Sequence, residues 1–143
     1  GDKAIIAYGT TGSDISIKNL VSNSGVIAAD VTGVGTARNT LAGAGYGNDK
    51  AIFAFGFYGS SLTSVSNLVT NSGVVGTDVT GVGTPRRRLG ACTYGTDKAV
   101  FAFGYTGANS NLSNLVTNSG VVGTDVTGVG TARGELPGLG IGT

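Results

Sequence analysis

The feature that most constrains this sequence is an internal repeat, present three times along its 143 residues. The segment Asp2–Ile5 returns at Asp49–Ile52 and at Asp97–Val100, so successive copies are offset by 47 and 48 residues. Residues 67–86 and 114–133 differ at one position, which indicates recent duplication or deliberate design. A repeat of this length is one supersecondary unit that buries its apolar face against its neighbours. The chain is therefore interpreted as one domain, residues 1–143, with repeats at approximately 1–47, 48–95 and 96–143.

Glycine supplies 27 of the residues and recurs at fixed positions of the repeat, whereas proline occurs only twice. This is not the composition of a collagen or of a flexible linker. Glycine at regular intervals among Val, Ile, Phe and Thr is what short strands joined by tight turns require. No segment shows helical periodicity, so the sequence predicts an all-β fold.

Four strands are predicted in each copy, and the second copy illustrates them. Leu41–Tyr46 is built from small residues, and Ala51–Phe55 is almost continuously apolar, as in a strand covered on both faces. The third strand covers about Ser66–Thr70, and the fourth runs from near Val74 through Val79. Turns are expected at residues 47–49, 56–64 and 71–73.

Four strands per unit at a period of about 40–50 residues are typical of a β-propeller blade. The small first strand agrees with this, because the innermost strands of a propeller converge on its axis and leave little room for side chains. Bulkier residues of the second strand, such as Ile52 and Phe101, would fill the space between blades. A β-solenoid is the alternative, but its coils are usually shorter, about 20–30 residues.

The order of residues around the first two strands resembles a blade of the kelch family. Arg38 precedes the small-residue strand, a polar turn at Asn48–Lys50 follows it, and the apolar strand Ala51–Phe55 ends at Gly56. The outer strand carries valine pairs where that family carries a tryptophan. The resemblance covers every copy and implies a β-propeller of four-stranded blades, for which six blades is a common number.

The position of the copies within the chain predicts how it assembles. The chain begins at a second strand, Ala4–Tyr8, and ends with a first strand, Leu136–Ile141, so one blade is split between the two ends. Three blades are too few for a propeller, which needs at least about four. We expect the last strand of one chain to complete the first blade of another, giving a six-bladed homodimer, with a nine-bladed trimer as the less favoured alternative. The expected assembly seam comprises Ala4, Ile5, Ile6, Ala7, Leu136, Leu139 and Ile141.

The composition also limits the chemistry and the partners that can be expected. The chain has no histidine and a single cysteine, Cys92, which removes the usual general base, most zinc or copper sites and any intrachain disulfide. The net charge of +1 argues against binding nucleic acid or membrane surfaces through bulk electrostatics. No apolar run or leader-like start predicts a membrane span or a signal peptide, so the location stays open. We expect no catalysis, no cofactor and no metal.

Two sets of repeated charged residues are the candidate binding groups. Arg38, Arg86 and Arg133 recur before the innermost strand, where they would bond carbonyl groups or a neighbouring blade's aspartate. Alternatively they would circle the channel mouth and bind an anion. The repeated aspartates Asp30, Asp78 and Asp125 are interpreted as turn or strand-end residues, with a cation-binding ring as the alternative.

The leading functional hypothesis is therefore a structural module that assembles with copies of itself. The alternative is a ligand-binding module for a carbohydrate or an anion, with equivalent sites between the repeats or on the channel axis.

Overall fold

A computed structural model describes residues 3–141, which form an all-β structure of ten strands. Residues 3–141 contain no helix, and hence no helix of the length and apolarity that crossing a membrane requires. The strands are β1 (Ala4–Thr10), β2 (Asp14–Val21), β3 (Ala42–Tyr46), β4 (Lys50–Ala54), β5 (Phe57–Tyr58), β6 (Ser61–Leu62), β7 (Ser66–Val69), β8 (Gly90–Tyr94), β9 (Lys98–Ala102) and β10 (Ser113–Val116).

The strands form four small antiparallel sheets, and three of these correspond to the three copies of the repeat. The first unit contains β1 and β2, the second contains β3, β4 and β7, and the third contains β8, β9 and β10. The pair β5–β6 is a separate hairpin within the second unit. The apolar strand is central in the second and third units. Among residues 3–141 no sheet closes on itself.

The predicted fourth strand is wrong as a continuous element. In the second unit it is reduced to two isolated bridges, Val75 to Val69 and Val79 to Ser66. Four steps along one segment therefore oppose three steps along β7, which is the signature of a β-bulge. A bulge bends the segment that carries the extra residue, and Asp78 lies within this segment.

Two other segments differ from the prediction. The turn expected at residues 56–64 contains the hairpin β5–β6. The expected terminal strand Leu136–Ile141 is not a strand, although it lies directly against β8. Its glycines permit this approach, because a Cβ atom on Gly138 would overlap the carbonyl group of Ala91. The side chains of Leu139 and Ile141 are exposed.

The core lies between the units and not within any one of them. Phe55 of the second unit and Phe101 of the third are fully buried, with ring centroids 5.5 Å apart. Tyr8 of the first unit meets Phe53 of the second edge to face, with centroids 5.6 Å apart. Each sheet thus buries apolar surface against the next, so the units depend on one another for stability.

We predict that Val69→Ala lowers the free energy of unfolding by about 2 kcal/mol, because it deletes a fully packed side chain and leaves a cavity. Val69 is 2% exposed, whereas Val74, five residues along the same unit, is 54% exposed. The matched control Val74→Ala should change the free energy of unfolding by less than about 0.5 kcal/mol. Denaturant titration of both variants measures the difference. Equal losses would contradict the burial pattern.

Candidate functional site

Three linkers follow the units and share the pattern Gly-Val-Gly-Thr-x-Arg, at residues 33–38, 81–86 and 128–133. The first glycine of each linker crosses the unit before it so closely that a side chain would not fit. A Cβ atom on Gly33 would overlap the backbone of Ser16, and the same holds for Gly81 at Ser64. Each linker is therefore held against the preceding unit, and its threonine and arginine are carried towards the following one.

The arginine of the first linker is buried between two units. Arg38 has no exposed surface, and its guanidinium carbon lies 4.4 Å from the centre of the Tyr8 ring in the first unit. Its Nε donates a hydrogen bond of 2.9 Å to the carbonyl oxygen of Phe55 in the second unit. One face of the guanidinium is thus in contact with one unit, while its edge bonds the next.

The second linker repeats this geometry one unit further along. Arg86 also has no exposed surface, and its guanidinium carbon lies 4.2 Å from the centre of the Phe55 ring. Its Nε donates a hydrogen bond of 2.9 Å to the carbonyl oxygen of Phe103 in the third unit. The two arginines therefore make equivalent Nε and ring contacts, and Phe55 takes part in both sets, through its carbonyl group with Arg38 and through its ring with Arg86.

A carboxylate of the following unit accepts hydrogen bonds from the linker threonine. The Thr36 hydroxyl donates to Asp78 Oδ2 at 2.6 Å, and the Thr36 backbone N–H also donates to this carboxylate. Asn67 Nδ2 holds Asp78 in place with a hydrogen bond of 2.9 Å. Gly35 makes the approach possible, since its φ is +85° and a Cβ atom would overlap Asn67 and Asp78.

The same bonds recur between the second and third units. Thr84 donates to Asp125 through its backbone and through its hydroxyl, and Asn114 donates to the same carboxylate. We call this set the inter-unit clamp. It comprises the threonine and arginine of the linker and the aromatic ring of the preceding unit. From the following unit it comprises the Asp and Asn side chains and the backbone carbonyl group of an aromatic residue.

The third linker carries one half of a clamp. Arg133 stacks on Phe103 at 3.8 Å, as Arg38 and Arg86 stack on their rings, but its side chain is exposed. Within residues 3–141 no carbonyl group accepts a hydrogen bond from Arg133 Nε. Gly130 keeps a φ of +87°, yet no described atom lies within 4 Å of its Cβ position. The donor half of the clamp is therefore formed here, and the described residues do not supply its acceptor half.

The first unit carries the other half. Asn19 Nδ2 donates to Asp30 at 2.8 Å, as the equivalent asparagines do in the other units. Among the described residues no threonine donates to Asp30, which is exposed. The carbonyl oxygen of Tyr8, equivalent to that of Phe55, likewise accepts no hydrogen bond from a described arginine side chain, since the donors of Arg38 bond Phe55 and Thr36. The described chain thus presents an acceptor half at its first unit and a donor half after its third.

Burial and hydrogen bonding shift the ionisation of the clamp residues. Burial lowers the pKa of Arg86 to about 10, against a raising effect of nearby Asp125, so the guanidinium stays charged at neutral pH. Burial by itself would raise the pKa of the Asp78 carboxyl. The hydrogen bonds donated by Thr36 and Asn67 outweigh this effect, and the pKa of Asp78 is lowered. The clamp therefore favours the ionised carboxylate.

The three predicted arginines differ in burial. Arg38 and Arg86 are buried and bond backbone carbonyl groups. Arg133 is exposed. The threonines of the clamp were not among the predicted site residues, although Thr recurs two positions before each Arg and was available as a signal.

The predicted seam residues lie on two surfaces. Ile6 is 55% exposed on β1, and Leu139 and Ile141 are 84% and 93% exposed on the terminal segment. Ala4 is also exposed, while Ile5, Ala7 and Leu136 are half-buried. Among residues 3–141 no cluster of three or more His, Cys, Asp or Glu side chains is arranged to hold a metal ion.

No protein-family model matches the chain, and no curated protein matches it significantly.

We predict that Asp78→Asn lowers the free energy of unfolding at pH 7 by about 1–2 kcal/mol. Hydrogen bonds to a charged group contribute about 1.5–3 kcal/mol, and partial exposure of this carboxylate reduces that contribution. The pKa of Asp78 is lower in the folded than in the unfolded chain, so its stabilisation is present above about pH 4 and is lost as the pH falls through the folded pKa. The stability difference from the unmodified chain should therefore narrow in acid.

The matched control is Asp49→Asn, which changes an exposed turn carboxylate bonded only within its own unit. It should cost much less at pH 7. Urea titrations of both variants between pH 2.5 and 7 give the comparison. A pH-independent difference at Asp78, or a larger loss at Asp49, would refute the clamp's role.

Proposed function

We propose that this chain is a structural module without catalytic activity, which assembles head to tail with copies of itself through the inter-unit clamp. The observation that carries the proposal is the complementarity of the two half-clamps. Thr131 and Arg133 offer the donors that Asp30 and the Tyr8 carbonyl group lack among the described residues. The two complete clamps show the geometry that the contact between chains would take.

A second pair of surfaces supports the same direction of assembly. Leu20 of the first unit packs where Gly73 of the second has no side chain, and Leu68 of the second packs against Gly120 of the third in the same way. At the ends, Leu115 of the third unit is 46% exposed, and Gly25 of the first unit faces open space among the described residues. Leu115 of one copy would fill the space at Gly25 of the next.

The proposed assembly is a β-propeller. Because each unit contacts the next through different surfaces, the contact is heterologous, and repeated heterologous contacts close into a ring when the rotation fits. Two chains would give six blades and three chains nine, and we favour the homodimer. The exposed apolar side chain of Leu115 would be covered at the contact between chains.

We predict that the chain has a mass in solution of twice 14.0 kDa over a wide range of concentration. Light scattering coupled to size-exclusion chromatography measures this directly. Leu115→Asp should shift the chain towards the monomer, because it places a charge against the apolar contact at Gly25.

Val121→Asp is the matched control. Val121 is 61% exposed, and its equivalent Val74 stays 54% exposed although units lie on both sides of it. This position therefore does not face a neighbouring unit, and Val121→Asp should leave the mass unchanged. A folded monomer of 14.0 kDa for the unmodified chain would overturn the proposal.

A further inference from the structure

A cleft of about 850 Å³ separates the first unit from the second. One wall is the β1 segment Ala4–Ala7, and the other is the β3 segment Gly43–Tyr46, with Thr93 beside it. Within residues 3–141, β1 pairs with β2 only, so its other edge faces the cleft with unpaired backbone groups. The cleft is thus bounded by the edge of β1 on one side and by β3 and neighbouring residues of β4 on the other.

The equivalent position in the second unit is occupied by a strand. There β3 pairs with the edge of β4, which corresponds to β1 in the repeat. The same strand also packs on the following unit, where Thr93 Oγ1 of β8 donates a hydrogen bond of 3.0 Å to the carbonyl oxygen of Gly45. A first strand of the repeat therefore has two contacts, the edge of its own unit and the first strand of the next unit.

The terminal segment Leu136–Ile141 has the position of a first strand with one of its contacts missing. It lies across β8 through Gly138 and Gly140, whose Cβ positions overlap the backbone at Ala91 and Thr93. Among the described residues nothing pairs with it as β4 pairs with β3, and Leu139 and Ile141 are exposed.

We propose that the cleft between β1 and β3 binds the segment Leu136–Ile141 of a second copy of this chain, as an added antiparallel strand on β1. The inference rests on the proposed function and names the segment and the register by which two copies would join. The half-clamps and the Leu115–Gly25 surfaces favour a second copy as the occupant, because they would meet in the same orientation.

The repeat also specifies the register. Ala44 pairs with Ile52 and Cys92 pairs with Val100 in the two complete units. Leu139 stands at the position of Ala44 and Cys92, and Ile5 at that of Ile52 and Val100. Leu139 of one copy should therefore lie opposite Ile5 of the other. Pro137 falls at the first paired position of the strand, where a residue without an N–H is tolerated.

Cysteine cross-linking between two copies tests this register. Both copies carry Cys92→Ala, since alanine occupies the equivalent position 44. One copy also carries Leu139→Cys, and the other carries Ile5→Cys and a mass tag. After co-expression and mild oxidation, we expect a disulfide-linked dimer containing both chains, because Cα atoms of directly opposed residues lie about 4.5–5.5 Å apart, within the range that a disulfide spans.

The control pairs Leu139→Cys with Ile6→Cys, whose side chain points to the opposite face of β1 and should cross-link at least tenfold less. Equal or stronger linkage at position 6 would overturn the register. A dimer by light scattering without linkage at position 5 would overturn this inference while leaving the proposed function standing. A monomer would overturn both.

Discussion

The buried guanidinium groups of Arg38 and Arg86 are the interaction on which the stacking of the units depends. A charge is removed from water at a large cost unless its donors are bonded and its face is in contact with an aromatic ring. Neither unit alone supplies both. The preceding unit gives the ring, and the following unit gives the carbonyl oxygen. Each arginine therefore makes both contacts only when two units are together, although Nη2 of Arg38 has no described hydrogen-bond partner there.

The rest of the interface is arranged around this requirement. Gly35 and Gly83 are turned to positive φ so that the linker threonine reaches the next aspartate, and Gly73 and Gly120 leave room for the leucine of the unit before. These glycines have no side chain to contribute, but each adopts a positive φ and permits a close approach that a Cβ atom would hinder. The high glycine content thus reflects contacts between units as well as tight turns within them.

The sequence predicts the parts of the fold that local pattern controls. The all-β class and the first three strands of the second copy agree with the structure within a residue or two, because composition and alternation act over short distances. The bulge at residues 75–79 and the role of Thr36 were not predicted. Both involve Asp78, whose partner comes from another unit 42 residues away. No local propensity contains that information.

The arginines show the same limit of what local sequence pattern can predict. Their repetition identified Arg38, Arg86 and Arg133 as a set, but it could not distinguish a buried bond to a carbonyl group from an exposed anion site. That choice depends on how closely the next unit packs. Arg133, which ends the same Gly-Val-Gly-Thr-x-Arg pattern and has no described unit beyond it, is exposed.

The most direct test of pairing between half-clamps is a double-mutant cycle on the association free energy of two chains, using Asp30→Ala and Thr131→Val. If Thr131 of one copy bonds Asp30 of the other, the two changes should be non-additive, with a coupling energy of about 1 kcal/mol. Strictly additive effects, or no effect of either change on association, would contradict the pairing.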